Sequence, residues 1–274
     1  MQNRHITFIG AGNMAGSIIS GLVKDGYPAD YICASAPSTA NTKKLAQQFS
    51  IRTSQDNAQA VNNSDVVVLG VKPQMMADVC QALANQGCDF SNKLIISIAA
   101  GISVERLQSL LGKNTPIIRT MPNTPSLLQK GMTGLFASQQ VNEEDKKFAG
   151  ELMSAVGETV WVEDETMINA VISASGSAPA YFFLFMESMQ NKAIEMGFSA
   201  EQARLLVLQS ALGSAEMVKQ NPNIELSTLR QNVTSKGGTT AEAINTFLQL
   251  GLPETVAKAM QAAADRGAEM EKLF

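Results

Sequence analysis

The stretch that most constrains the fold is Arg4 to Gly16, RHITFIGAGNMAG. Ile6 to Gly10 predict a buried strand. Gly10-Ala11-Gly12-Asn13-Met14-Ala15 then turns it into a helix carried by Ser17-Ile18-Ile19 and Leu22-Val23. This is the G-x-G-x-x-A form of the dinucleotide turn. Gly10 permits the tight turn, Gly12 lets backbone approach a pyrophosphate, and Ala15 is small enough for the helix to pack on the strand. The anion would sit at the helix N-terminus, where free N–H groups and the macrodipole favour negative charge. A plain Gly-rich turn needs similar residues; the apolar strand before it and the helix after it favour the nucleotide.

Composition narrows the function. The chain has 274 residues, 45% hydrophobic and 17% charged, enough for about two domains with ordinary cores. The net charge of -4, without a basic cluster, argues against nucleic acid as a partner. Cys33, Cys80 and Cys88 lack metal or redox spacing, so no metal site is expected, and scattered odd cysteines fit a reducing cytoplasm. The N-terminus runs straight into a strand, so no leader peptide is expected. No apolar run reaches about 18 residues, so no membrane span is expected either. The one histidine, His5, opens the first strand, at the end away from where α/β proteins bind ligands. A histidine base, a Ser–His pair or a His-ligated zinc is therefore improbable.

Further along, strands are predicted over 30–34, 51–53, 65–71, 94–98 and 116–121. Helices are predicted over 42–49, 57–62, 73–85 and from Ser103. The run Asp65 to Val71 (DVVVLGV) is apolar throughout, as in a strand covered on both faces. Strand–helix alternation predicts an α/β fold with a Rossmann-type, doubly wound parallel sheet. Residues 133–137 and 159–162 read as edge strands, with a helix over 143–156 between them. From Glu165 onward only helices are predicted: 165–174, 178–196, 200–219, 225–232, 239–249 and 253–272. The expected domains are 1–163 and an all-α 164–274. The segment Tyr181 to Met189 (YFFLFMESM) is apolar on nearly every face. Such a helix is either central in its own core or shared with a second copy; a small helical domain favours a homodimer interface.

The stretch after the second strand, Cys33 to Ala40, carries no acid to accept from a ribose 2′-OH, which favours NADP(H) over NAD(H). Lys43 and Lys44 read as solvated. Gly70 to Pro73 and Ala99-Ala100-Gly101 follow strands that end at the same crevice. Lys72 suits a place near the phosphates and equally a plain surface lysine. In the second half, Asn232 to Ala243 (NVTSKGGTTAEA) places small and hydroxyl residues before a helix near Thr239. That makes a second helix N-terminus suited to a carboxylate, with Ser235 and Thr240 able to donate or accept. An ordinary Gly loop with a Thr cap stays open as a reading. Two further runs stand out: Ser173 to Tyr181, a small-residue break between helices, and Met121-Pro122-Asn123-Thr124-Pro125.

GAGNMA (10–15), VKP (71–73), SIAAG (97–101), RTMPNTP (119–125), SGSAPAY (175–181) and VTSKGGTTAEAI (233–244), in that order, resemble pyrroline-5-carboxylate reductase over essentially the whole chain. The resemblance implies reduction of 1-pyrroline-5-carboxylate to L-proline with NADPH or NADH. It also implies an all-α dimerisation domain, with dimers assembling further into decamers. It assigns the cofactor to Ile9, Gly10, Ala11, Gly12, Asn13, Met14, Ser35, Asn57, Val71, Lys72, Pro73 and Ala100, with Asn232 reaching it from the helical domain. It assigns the substrate to Ser235, Gly238, Thr239 and Thr240, with Glu165 a further candidate; Thr240 and Ser235 are the catalytic candidates. Lys236 stands where some members have proline, and Ala36 where some have a phosphate-binding serine.

The implied chemistry needs no histidine. A protonated cyclic imine is already electrophilic. A hydroxyl such as that of Thr240 suffices to hydrogen-bond the ring nitrogen, and backbone N–H groups of Gly238 and Thr239 suit the carboxylate. A β-hydroxyacid dehydrogenase begins similarly, but its catalytic lysine has no counterpart between Tyr181 and Gln190, and Lys192 lies late. A non-catalytic NADP-binding sensor is the other reading; the intact Gly238-Thr239-Thr240 corner argues against it.

Overall fold

The computed structural model describes residues 1–273. The first strand, β1 (Ile6–Ile9), leads into α1 (Asn13–Lys24), and the alternation continues through β2 (Ile32–Ser35), α2 (Thr39–Phe49), β3 (Arg52–Ser54), α3 (Asn57–Asn62), β4 (Val66–Leu69), α4 (Pro73–Asn85), β5 (Leu94–Ser97), α5 (Val104–Leu111) and β6 (Ile117–Met121). After a 3₁₀ turn at Thr124–Leu128 come β7 (Gly131–Ala137), α6 (Glu143–Ser154) and β8 (Gly157–Trp161). The sheet order is β3-β2-β1-β4-β5-β6-β7-β8. All pairs are parallel except β6 with β7.

Successive side chains of a strand point to opposite faces, and here both faces are covered. Ile6, Phe8, Val66, Val68, Leu94 and Ile96 join one core with Ile18, Leu22 and Phe148 of α1 and α6. Ile9, Val67, Leu69 and Ile95 join the other with Met76, Leu83 and Leu107 of α4 and α5. This is why the central strands read as unbroken apolar runs. In register, Ile9 lies opposite both Ser35 and Leu69, and Leu69 opposite Ser97. Four strands therefore end level, and the loops that follow them share one edge. The chain leaves β1 in both directions along the sheet, so the crevice of an open α/β sheet falls there.

The two predicted edge strands part company. β8 is an edge, but β7 is interior, paired on both sides. The 3₁₀ turn ends at Gln129 with φ 56, which reverses the chain and sends β7 back along β6, with Thr133 and Leu135 buried.

Beyond β8 the chain is helical: α7 (Met167–Val171), a π-turn (Ile172–Gly176), α8 (Ala178–Glu195), α9 (Ala200–Gln220), α10 (Leu226–Asn232), α11 (Thr239–Gln249) and α12 (Leu252–Leu273). By packing, one compact unit comprises Met1–Ser177 with the chain from Ala262 onward, and the second comprises Ala178–Gln261. In the first unit the last turns of α12 lie on α7, where Gly267 leaves no room for a Cβ beside Asn169 Oδ1, 2.8 Å away.

The second unit is built on α8 and α9, joined through Gly197 at φ 105; Ser199 and Gln202 form a reciprocal N-terminal box on α9. Among its described residues only Ala203 and Val207 are buried apolar side chains. Phe182, Phe183 and Leu184 are each more than 60% exposed.

One expectation needs correction. Met167–Glu195 is a single continuous helix, by length and composition long and apolar enough to cross a membrane. The sequence predicts a division at 175–177, within the small-residue run Ser173 to Tyr181, where Gly and Pro usually end a helix. The π-turn absorbs the break instead, by widening the helix where the N–H of Pro179 is missing.

Candidate functional site

The β1–α1 turn is shaped by what its glycines exclude. Gly10 has φ 98, and a Cβ there would lie 2.8 Å from the Gly70 carbonyl oxygen, so a side chain is barred twice over. Its N–H donates to the Ser35 carbonyl at 2.9 Å. Gly12 is the opposite case. It caps α1 with ordinary φ (−77°), and a Cβ there would meet nothing within 4 Å. With no side chain to cap α1 and no acid in its first turn, the helix presents its initial N–H groups uncovered. A groove of about 350 Å³ runs past Ala11, Gly12 and Asn13 and reaches Lys44. Ala15 is 1% exposed and packs toward Gly70.

The neighbouring strand ends add the other predicted cofactor residues. Ser35, fully buried at the end of β2, donates from Oγ to Asn57 Oδ1 at 2.7 Å. Asn57 is held as the first residue of α3, whose cap Asp56 accepts from the Gln59 N–H at 2.9 Å. The loop between them and α2 ends at Ser38, which caps α2 without a side-chain hydrogen bond and with no acid in the first turn. Ile9 is buried and Met14 half-buried at the turn; Val71 lies close to Gly10. Lys72 is an exposed cap on α4, with Pro73 starting the helix. Ala100 is half-buried in the turn after β5, where Gly101 has φ 72.

Two features of this unit were not foreseen. Arg119, on β6, is 1% exposed and paired with two carboxylates: Nη1 is 2.8 Å from Glu165 Oε1, and Nη2 is 2.7 Å from Glu271 Oε1. The second pair is out of line for a hydrogen bond and is held by charge. Glu165 Oε1 also accepts from the Val104 N–H at 2.8 Å. Within RTMPNTP, Asn123 donates from Nδ2 to the carbonyl of Ser175 in the π-turn at 3.0 Å and accepts from the Met132 N–H at 2.9 Å. A π-turn frees carbonyls that an α-helix would use, and Asn123 takes one. No local sequence signal marks these pairings; both join segments distant in the chain.

The second unit holds the remaining candidates. Asn232 is the last residue of α10 and exposed. Gly237 has φ 71, and Gly238 caps α11 with its N–H donated to the Ser235 carbonyl at 3.0 Å. A Cβ on Gly238 would sit 2.5 Å from Ser235 Oγ, so a side chain there would push the Ser235 hydroxyl out of its present position. Thr239 and Thr240 open α11, exposed and with no side chain capping it. The corner thus presents helix N–H groups and three hydroxyls together.

Comparison with known proteins places the chain in a family. Residues 165–270 match the family model described as pyrroline-5-carboxylate reductase dimerisation, and 5–101 match that of the F420-dependent NADP oxidoreductases. A pyrroline-5-carboxylate reductase of Vibrio alginolyticus is 62% identical over the whole of both chains. Among solved structures, a pyrroline-5-carboxylate reductase from Coxiella burnetii superposes with a TM-score of 0.92 at 40% identity, covering 98% of this chain and 99% of that one. A Plasmodium falciparum pyrroline carboxylate reductase with NADP bound gives 0.87 at 28% identity, covering 99% of each. With full-length identity of this order and the same architecture, the chain belongs to the pyrroline-5-carboxylate reductase family of nicotinamide-dependent oxidoreductases.

Proposed function

We propose that the enzyme reduces the C=N bond of 1-pyrroline-5-carboxylate with NADPH, giving L-proline, and that its two compact units divide the work. The observation that carries this reading is that two helices, α1 and α11, have a glycine as N-cap residue, Gly12 and Gly238, and so no cap side chain over their first N–H groups. The first suits a pyrophosphate and the second a carboxylate. Functionally, 1–163 would serve the cofactor and 164–274 the substrate and dimerisation.

The open space at Gly12 and the barred space at Gly10 fit a dinucleotide. Gly10 to Met14 would hold the pyrophosphate, Ser35 and Asn57 the adenosine end, and Val71, Lys72, Pro73 and Ala100 the remainder; Asn232 is the further cofactor residue that the family implies. NADPH is favoured over NADH because Ser38 and the first turn of α2 offer hydroxyl and N–H groups with no carboxylate to repel a 2′-phosphate. Bound cofactor supplies the hydride. Thr239 holds the carboxylate through its N–H at the start of α11; the Gly238 N–H, expected to share that role, is already donated to the Ser235 carbonyl and steadies the corner instead, and Thr240 Oγ1 hydrogen-bonds the ring nitrogen. Orientation supplies most of the rate.

The bare faces of α8 and α9 support a homodimer, with the decamer implied by the family as a larger assembly. Three free cysteines support a reducing, cytoplasmic setting. The test is NADPH oxidation by the purified enzyme with 1-pyrroline-5-carboxylate against 3-hydroxyacids and NADP. Turnover of the imine alone is expected; its absence would remove the reading.

Thr240→Ala is expected to lower kcat/KM about ten- to a hundredfold, the scale of one directed hydrogen bond, with NADPH affinity unchanged. An unaltered kcat/KM would take Thr240 out of the mechanism.

A further inference from the structure

Arg119 is the largest side chain fully enclosed among the described residues, yet it carries a charge. Burying a guanidinium with two carboxylates is a poor way to gain stability, since apolar residues of the same volume do as well or better. What the arrangement does supply is geometry, because the guanidinium fork is planar and rigid. Its place is specific. Arg119 stands opposite Ser97, the last residue of β5, and the Ala99-Ala100-Gly101 turn follows directly. Glu165, held by Nη1, grips the Val104 N–H where the chain leaves that turn into α5. Glu271, held by Nη2, adjoins Met270, whose Cβ stands 2.8 Å from the position of a Cβ on Gly101.

We infer that Arg119 is a positioning residue that fixes the Ala99–Gly101 turn for the nicotinamide half of the cofactor, and that Glu165 acts through this cluster rather than on the substrate. One guanidinium ties the exit of the turn, through Glu165, and its flank, through Glu271. The inference rests on the proposed reading that this turn meets the cofactor. It reassigns Glu165, whose Oε1 is already shared by two donors.

The test uses the full-length enzyme with Glu165→Gln, Arg119→Lys, the double variant and Glu271→Gln. The measurements are NADPH Kd by fluorescence titration, kcat, both KM values, the isotope effect with 4-deuterated NADPH, and the melting temperature. Each single variant is expected to weaken NADPH binding or lower kcat about tenfold and to alter the isotope effect, with the imine KM nearly unchanged. The double variant is expected to be no worse than the poorer single one, as for residues that act as a unit. Two outcomes overturn the inference. One is a selective rise in imine KM for Glu165→Gln that multiplies with Arg119→Lys. The other is a lower melting temperature with wild-type kinetics. If Arg119→Lys does not fold, the half-buried Glu165 and Glu271 variants decide by the same criteria. A wild type that binds NADPH without reducing the imine sinks the functional reading alone, and the NADPH Kd values still judge the cluster.

Discussion

Single residues show how far chemistry types were legible and where they were not. Ser35 and Asn57 were expected near the cofactor from motif alone, and the structure adds the reason they come together, a 2.7 Å hydrogen bond from a buried hydroxyl. Arg119 was in plain view inside RTMPNTP, but its partners lie far along the chain, and no spacing rule links a strand arginine to carboxylates on other elements. The cysteines supply a pH test. Burial pushes the Cys80 thiol up to about 12, and burial raises Cys33 and Cys88 as well. All three are protonated in either state at neutral pH. As pH rises through the unfolded thiol range, about 8.5, the unfolded chain loses protons that the folded chain keeps, so stability falls with increasing pH there. Thiol labelling at pH 8 is expected to modify Cys88 first and Cys80 only on unfolding. Rapid native labelling of Cys80 would contradict its burial.

At the scale of elements, the strands with unbroken apolar runs were the most legible, because a sheet covered on both faces leaves no polar positions. The 121–131 turn was the least, since the reversal that makes β7 antiparallel rests on one left-handed residue, Gln129. The π-turn was read as a break for a similar reason: helix-ending residues were present, but tertiary contacts kept the helix going. The glycine turn offers a clean separation of fold from binding. Gly10→Ala must strain a left-handed backbone and press on the Gly70 carbonyl, so it is expected to cost about 1–3 kcal/mol of stability. Gly12→Ala enters open space at an allowed φ, so its melting temperature is expected to stay near wild type while NADPH Kd rises at least tenfold, roughly the loss of one charge-assisted contact. Parallel melting and NADPH titration check both; equal losses of stability would show that Gly12 serves packing.

For the whole molecule, the decisive fact is that the second unit has little interior. Exposed Phe182, Phe183 and Leu184 on α8, with Leu205, Leu208 and Leu212 on α9, leave much apolar surface in water. Covering one such side chain is worth about 1.5–3 kcal/mol, so pairing with a second copy is strongly favoured. Phe183→Glu is expected to shift the light-scattering mass toward the monomer and to make melting depend steeply on concentration; an unchanged mass would place the contact elsewhere. The sequence carried the apolar helix but could not say that its own neighbours leave it uncovered. The Arg119 cluster has a different consequence, one of timing. A ribosome makes the chain from its N-terminus, and domains begin to fold as they emerge. Glu271 is synthesised only after all of the second unit. The sheet that carries the Ala99–Gly101 turn therefore waits until Glu271 has been made, with Arg119 still missing one of its two carboxylates.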